Sequence, residues 1–380
     1  MTRAPGARRK RLVLAAIVVA ATGLLFEGAL RFLLFVDADW SAELARRYRH
    51  ELFYADAYHE DDAWVLRARF HPERAGQAHP QFDATLGWTS EAIEPGTLRH
   101  VEEPGPEGER LVLLYGDSFA RCLTGREDAW EGLLERSALG PSHQLLNYGV
   151  GGYGLDQIEL LLDATIERHA ARNPLVIVGI LVDDDLDRPA LALRNFPKPR
   201  YELVEGELVL HPPLARTPAE FAAAHPPTIR SYAWRHLLHF YLPTRARWAL
   251  TGEKRQRDEK RALCRALLER IERRLTALAL EHFVVLFHAE KSMAVDGPYS
   301  WQEPFLHATL RELGIPFVSS KRALLEDMAS TGLAPEAYLP LEHHYDARGN
   351  KVVFRAFERG LAGEFEPANG YLPGAPARAR

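Results

Sequence analysis

The chain has 380 residues, 47% of them hydrophobic and 26% charged, with a formal net charge of -5 at pH 7. That length buries a substantial core in one large or two ordinary domains, and the mild acidity gives no reason to expect nucleic acid as a partner. The two cysteines, Cys122 and Cys264, are too few for a disulfide framework. A single bridge in an oxidising compartment and two buried thiols both remain open.

In chain order, the basic group Arg8, Arg9, Lys10 and Arg11 precedes an apolar run from Leu12 to Phe26, and apolar character resumes after Glu27 as far as Val36. The uninterrupted run is shorter than the roughly 20 residues of a membrane span. Residues 12–36 suffice if Glu27 and Arg31 lie near the far interface, where long charged side chains snorkel. The expectation is a cytoplasmic tip (1–11), a signal anchor in the lipid bilayer (12–36) and an exported remainder, by the positive-inside rule. A cleaved secretory signal, with a processing site at Val19, Ala20 and Ala21, is the competing reading.

Residues 37–109 are polar, rich in His, Glu and Arg, and broken by Pro and Gly. They read as a membrane-proximal connector with short structured pieces such as Phe82–Trp88. From Arg110 the pattern alternates: strand 111–115, helix 128–139, strand 144–148, helix 154–171, strand 175–182. Such alternation predicts a parallel sheet covered by helices. Residues 189–250 interrupt it as an insertion: a hairpin turning at Glu205 and Gly206, then Pro212, Pro213, Pro226 and Pro227, then an aromatic-rich helical stretch from Ser231 to Leu242. A cover over the site and a remote decoration are both compatible with this segment. A long amphipathic helix follows over 254–281, with Leu263, Leu267, Leu268, Ile271 and Leu275 at helical spacing. Its mixed-sign start reads as a solvated face. Strand 283–287, helix 302–313, a short strand near Pro316–Val318 and a closing helix over 346–362 complete a domain spanning 110–365. The Pro/Gly/Ala/Arg-rich tail (366–380) is expected to be disordered.

The chemistry-bearing residues lie where these strands end. Strand 111–115 runs into Gly116, Asp117 and Ser118, a turn that would hold the Ser118 hydroxyl at the C-terminal edge of the sheet, where open α/β folds place ligands. A serine there is a nucleophile if a base reaches it. The next strand runs into Asn147, Tyr148, Gly149, Val150, Gly151, Gly152, Tyr153 and Gly154, with Gln157 three residues on. The third runs into Asp183, Asp184 and Asp185. Near the C-terminus, Glu342, His343 and His344 precede Gly349 and a helical pattern. Cys122 lies four residues past Ser118 without any cysteine-hydrolase motif around it.

Taken in order, Gly116–Phe119, Asn147–Gln157 and Glu342–Gly349 resemble the motifs of the SGNH, or GDSL, hydrolase family, and most closely its bacterial membrane-anchored members. The likeness covers roughly residues 110–190 and 283–362. It implies a flavodoxin-like three-layer α/β/α sandwich with a central parallel sheet, and an inner-membrane protein whose C-terminal domain faces the periplasm. It also implies Ser118 as nucleophile and His344 as general base, with His343 the rival base. Glu342 stands in the place of the family's aspartate, which orients the imidazole, and the Ser118 and Gly152 N–H groups would form two parts of an oxyanion hole. The family's third donor is an asparagine, and Asp184 occupies that slot. An ionised carboxylate only accepts hydrogen bonds, and losing one donor typically costs roughly 2.7–4 kcal/mol in the barrier. A protonated Asp184, a two-donor hole and an altered activity are the three outcomes. Asp117, Asn147 and Gln157 read as structural support. No ligand spacing supports a metal, and no cofactor is expected.

The implied activity is a serine esterase or deacylase acting on an O-acyl ester, such as that of a cell-envelope glycan, through an acyl-enzyme. With an alcohol in place of water it becomes an O-acyltransferase. The rival is a catalytically silent glycan-binding or assembly scaffold of the same fold. A weaker alternative is a lipase or thioesterase with an acyl groove lined by Trp234, Leu237, Phe240 and Tyr241.

Overall fold

The structure, a computed structural model, describes residues 5–55, 60–102, 104–105, 108–242, 253–294 and 297–366. The chain forms two compact units: Met1–Ala78 with Leu193–Pro197 and Ala215–Gln256, and His79–Ala192 with Lys198–Leu214 and Arg257–Arg380. The linear division drawn from sequence cuts elsewhere. Residues 79–109 of the expected connector belong to the second unit, and residues 215–242 of the expected insertion belong to the first. The expected tail lies outside the described residues except for Glu366.

The second unit is built on five strands: β1 (Arg110–Gly116), β2 (His143–Gly149), β3 (Leu175–Leu181), β4 (His282–Phe287) and β5 (Phe317–Ser319). They pair in the order β2-β1-β3-β4-β5, every pair parallel. β1 and β3 are almost wholly buried along their lengths, which is why they read as continuous apolar runs: a parallel sheet hides both faces. Because β2 and β3 flank β1, the strand order reverses at β1. In open α/β sheets, the crevice beyond the strand ends at that switch point is where ligands bind.

Helices cover this sheet. The Ala347–Leu361 helix buries Val352, Val353, Phe354, Ala356 and Phe357. The Phe357 ring stacks on Trp130 at 4.7 Å, and Phe287 of β4 lies 5.9 Å from Trp130. Burying side chains of this size contributes roughly 1.5–3 kcal/mol each. The expected helix over 154–171 is two pieces, Leu155–Thr165 and Glu167–Ala170. The hairpin is present, with Arg200–Val204 pairing antiparallel to Glu207–His211. Between β5 and the histidine loop lies a helix that the sequence reading passed over, Ser320–Thr331. It buries few apolar side chains, among them Ala323 and Leu324, so its apolar stripe is too thin to stand out.

The first unit has its own core. The N-terminal helix, Pro5–Phe35, contains a stretch from Arg9 to Phe35 that is long and apolar enough to cross a membrane. Its Leu30 and Leu34 are buried with Tyr54, Leu66, Phe70, Ile229, Tyr232 and Ala233. Leu66 and Phe70 come from a second helix not foreseen in the connector, Asp61–Phe70.

Candidate active site

β1 delivers Ser118. Asp117 follows the strand in extended conformation and caps the turn Ser118–Arg121, its Oδ1 accepting the Phe119 N–H at 2.8 Å. Ser118 therefore opens a helical turn, and an N–H at that position has no acceptor within the helix. Asn147, at the end of β2, ties this turn to the next: its Nδ2 donates to the Ala120 carbonyl at 2.9 Å and its Oδ1 accepts the Gly149 N–H at 2.9 Å. The two turns approach so closely that a Cβ on Gly149 would stand 2.3 Å from the Arg121 nitrogen. Gly152 has φ +85°, a conformation that other residues enter only at a cost. A Cβ on Gly151 would meet Ser118 Cβ at 3.9 Å, so the glycine turn flanks the half-buried serine. From behind, Trp88 Nε1 donates to the Gly151 carbonyl at 3.0 Å, and Gln157 Nε2 donates to the Leu86 carbonyl at 2.8 Å.

The last helix delivers His344. Asp346 caps that helix by accepting the Gly349 N–H at 2.8 Å, and the buried Tyr345 hydroxyl donates to the His288 carbonyl at 2.7 Å. With these anchors directly after it in the chain, His344 places its Nε2 2.7 Å from Ser118 Oγ. His344 Nδ1 lies 2.9 Å from the main-chain carbonyl of Glu342. A carbonyl can only accept, so Nδ1 carries the hydrogen and Nε2 turns its lone pair to the serine hydroxyl. Phe119 packs against the imidazole with ring centroids 4.8 Å apart. Asp117 Oδ2 also lies near Ser118 Oγ, at 3.4 Å; the shorter contact to His344 is the better hydrogen bond.

The resemblance assigns the Glu342 carboxylate to His344, but the structure gives that place to the Glu342 carbonyl and leaves the residue exposed. Glu342 (φ +49°) and His343 (φ +66°) are both left-handed, at a cost of roughly 1–3 kcal/mol each, and this kink is what turns the carbonyl onto Nδ1. His343, the rival base, points its ring toward Glu290 at 3.7 Å and is largely exposed.

The acidic run after β3 surrounds Arg188. Asp184 Oδ2 accepts from Arg188 Nη2 at 2.5 Å and from Nε at 3.1 Å. Arg188 Nη1 donates to Asp185 at 2.7 Å, to Asp117 at 3.4 Å and to the Tyr153 carbonyl. The guanidinium is 5% exposed, so the three carboxylates neutralise a buried cation. Burial and the nearby Asp117 push the Asp185 carboxyl well above its ordinary range. Asp184 acts here as an acceptor from Arg188, and protonating it would forfeit an ion pair. Asp183 Oδ2 accepts the Ala289 N–H at 3.2 Å, and burial pushes its carboxyl up.

Sequence reasoning missed three residues of this site: Arg188, Trp88 and Asn350. The Nδ2 of buried Asn350 lies 2.9 Å from Cys122 Sγ, 3.0 Å from Thr124 Oγ1 and 2.9 Å from the Asp128 carbonyl, joining the histidine's helix to the segment after the nucleophile turn. No spacing in the chain relates these residues. Cys122 and Cys264 are both free thiols, and burial pushes each thiol up. Among the described residues, no group of three or more His, Cys, Asp or Glu side chains is placed to hold a metal.

The fold and site together define an α/β protein with a serine–histidine pair at the C-terminal edge of a parallel sheet. No family profile and no curated protein matches the chain. Among solved structures it is similar to Axe2, an acetylxylan esterase from Geobacillus stearothermophilus, at 18% identity and TM-score 0.35, over 68% of this chain and 95% of that one. It is also similar to the acetyl xylan esterase AlAXEase at 13% identity and TM-score 0.37, over 66% of this chain and 98% of that one. Likenesses at these scores assign neither fold nor activity to this chain.

Proposed function

We propose that the chain is a serine esterase or deacylase of SGNH type, with that family's sandwich fold, acting on an O-acyl ester of a cell-envelope glycan. The observation that carries the reading is the 2.7 Å approach of His344 Nε2 to Ser118 Oγ. Ser118 Oγ attacks the acyl carbonyl carbon as its proton passes to Nε2. The resulting oxyanion faces the N–H groups of Ser118 and Gly152, a two-donor hole. Collapse expels the alcohol, which leaves with the proton from Nε2. Water then attacks the acyl-enzyme, giving its proton to Nε2, and the second intermediate collapses to release the acid as Nε2 returns that proton to Ser118 Oγ. An alcohol entering in place of water gives acyl transfer by the same steps. The Glu342 carbonyl holds the Nδ1–H throughout. The glycan assignment follows from address: the N-terminal helix, read as a single-pass inner-membrane anchor with its basic end inside, leaves the site in the periplasm.

One observation favours the silent scaffold as a second reading. Asp184, in the slot of the third oxyanion donor, is occupied by Arg188. Trp234, Leu237, Phe240 and Tyr241, the residues named for the lipase reading, stand exposed on a helix of the first unit. Fluorophosphonate labelling of the full chain in detergent, beside Ser118→Ala and His344→Ala, tests the proposal. Labelling lost in both variants supports it, and release of acetate from acetylated glycans would follow. A folded chain that takes no label points to the scaffold.

A further inference from the structure

Within the first unit, two charges interrupt the apolar N-terminal helix, and one neighbouring segment satisfies both. The Glu27 carboxylate accepts from Ser231 Oγ at 2.8 Å, from the N–H groups of Tyr232 at 3.2 Å and Ala233 at 2.8 Å, and from Arg31 Nε at 2.6 Å. Arg31 Nη2 donates to the Arg230 carbonyl at 3.0 Å, and its guanidinium lies 4.9 Å from the centre of the Tyr232 ring. Ser231 caps the Tyr232–Tyr241 helix from the position just before it, its side chain accepting the Trp234 N–H. Glu27 is a second cap on the same end, taking up N–H groups that the helix itself cannot satisfy.

This joint sets a depth. At 1.5 Å per residue, Arg11 and Glu27 lie about 24 Å apart along the axis, against a hydrocarbon layer of about 30 Å. With Arg11 at the inner boundary, Glu27 comes within about one helical turn of the outer one, and the capped helix starts at that level. From there it presents Trp234, Leu237, Phe240 and Tyr241 outward, a stripe at three- and four-residue spacing. Trp234 is 56% exposed and Tyr241 77%. Trp40, 79% exposed, stacks on Phe32 of the N-terminal helix at 5.7 Å. Trp and Tyr accumulate at membrane–water boundaries because an apolar ring and a polar handle suit both sides.

We infer that the Tyr232–Tyr241 helix is an interfacial helix, inserting Trp234, Leu237, Phe240 and Tyr241 among the headgroups and upper acyl chains of the outer leaflet. The inference rests on the N-terminal helix being an uncleaved span. The occupant is lipid, because the stripe adjoins a helix whose own apolar side chains, Leu12 to Leu25, are exposed and because the Glu27 cap fixes it at the membrane boundary.

The test uses the full chain in nanodiscs of phosphatidylcholine brominated along its acyl chains, a short-range quencher of tryptophan emission. The chain has 7 Trp, so the readout is a difference. Trp234→Phe, a conservative change at an exposed site, should remove a quenchable component of the emission. A Val18→Trp variant, placed mid-helix, reports the span separately through an added, strongly quenched component. Quenching at position 18 without any loss in Trp234→Phe would overturn the inference while leaving the span intact. No quenching at position 18 would remove the span and the inference with it. Trp234 emission shielded from both bromolipid and aqueous acrylamide would mean a protein covers the stripe, which also overturns it.

Discussion

Ser118 and His344 meet across 226 residues of chain, and the meeting sets out which substitutions matter. His344→Ala removes the general base and should lower kcat/KM for an activated ester by about 10²–10⁴-fold, while Ser118→Ala should abolish fluorophosphonate labelling. Glu342→Gln keeps the main-chain carbonyl on Nδ1 and should leave kcat/KM within a few-fold of the parent. A loss as deep as that of His344→Ala would return the role to the carboxylate. Asp184→Asn swaps an acceptor for an amide that also donates. With position 184 facing the oxyanion, kcat should rise by up to about 10²–10³-fold, the worth of one such donor. An unchanged kcat would put position 184 outside the hole.

The segments that end β1, β2 and β3 act together rather than singly. Arg188 links Asp117 of the nucleophile turn, the Tyr153 carbonyl of the glycine turn and Asp184 and Asp185 beyond β3. Replacing one partner of a buried ion pair strands the others and typically costs 3–5 kcal/mol. Arg188→Met should therefore lower stability by about that amount, read as a fall in the urea midpoint at unchanged slope. Had the cluster been only a surface ion pair, the loss would stay under about 1 kcal/mol.

The second unit as a whole carries an acid sensitivity away from the site. His169 is buried with its Nε2 2.8 Å from the Tyr148 hydroxyl. Burial first, then the nearby His100, lowers its pKa from 6.5 to about 4. The unfolded chain binds a proton there at a pH where the folded one does not. The stability this group confers is thus complete above about pH 6.5 and is lost as the pH is lowered toward 4. Glu159, raised to about 6 by burial, pulls the opposite way between pH 4.5 and 6. The measurement is therefore a difference: urea titrations of the parent and His169→Gln from pH 7 to 4, with the shallower slope in the variant.

What the sequence by itself determined about this protein is what neighbours along the chain encode. The parallel sheet was legible because strands buried on both faces leave unbroken apolar runs, as in β1 and β3. Ser118 and the glycine turn stood out because Gly, Asp and Asn mark where such runs end, whereas His344 was singled out only by the resemblance of Glu342–Gly349 to a family motif. The apolar N-terminal helix declared itself by length and flanking charge. Tertiary structure alone decided that a main-chain carbonyl takes the place next to His344, that Arg188 occupies Asp184 and that Asn350 links the histidine's helix to the segment after the nucleophile turn. It alone assigned residues 215–242 to the unit of the N-terminal helix, where Glu27 caps the Tyr232–Tyr241 helix. Each of these joins groups distant in the chain or depends on a main-chain torsion, and neither leaves a periodicity to be read.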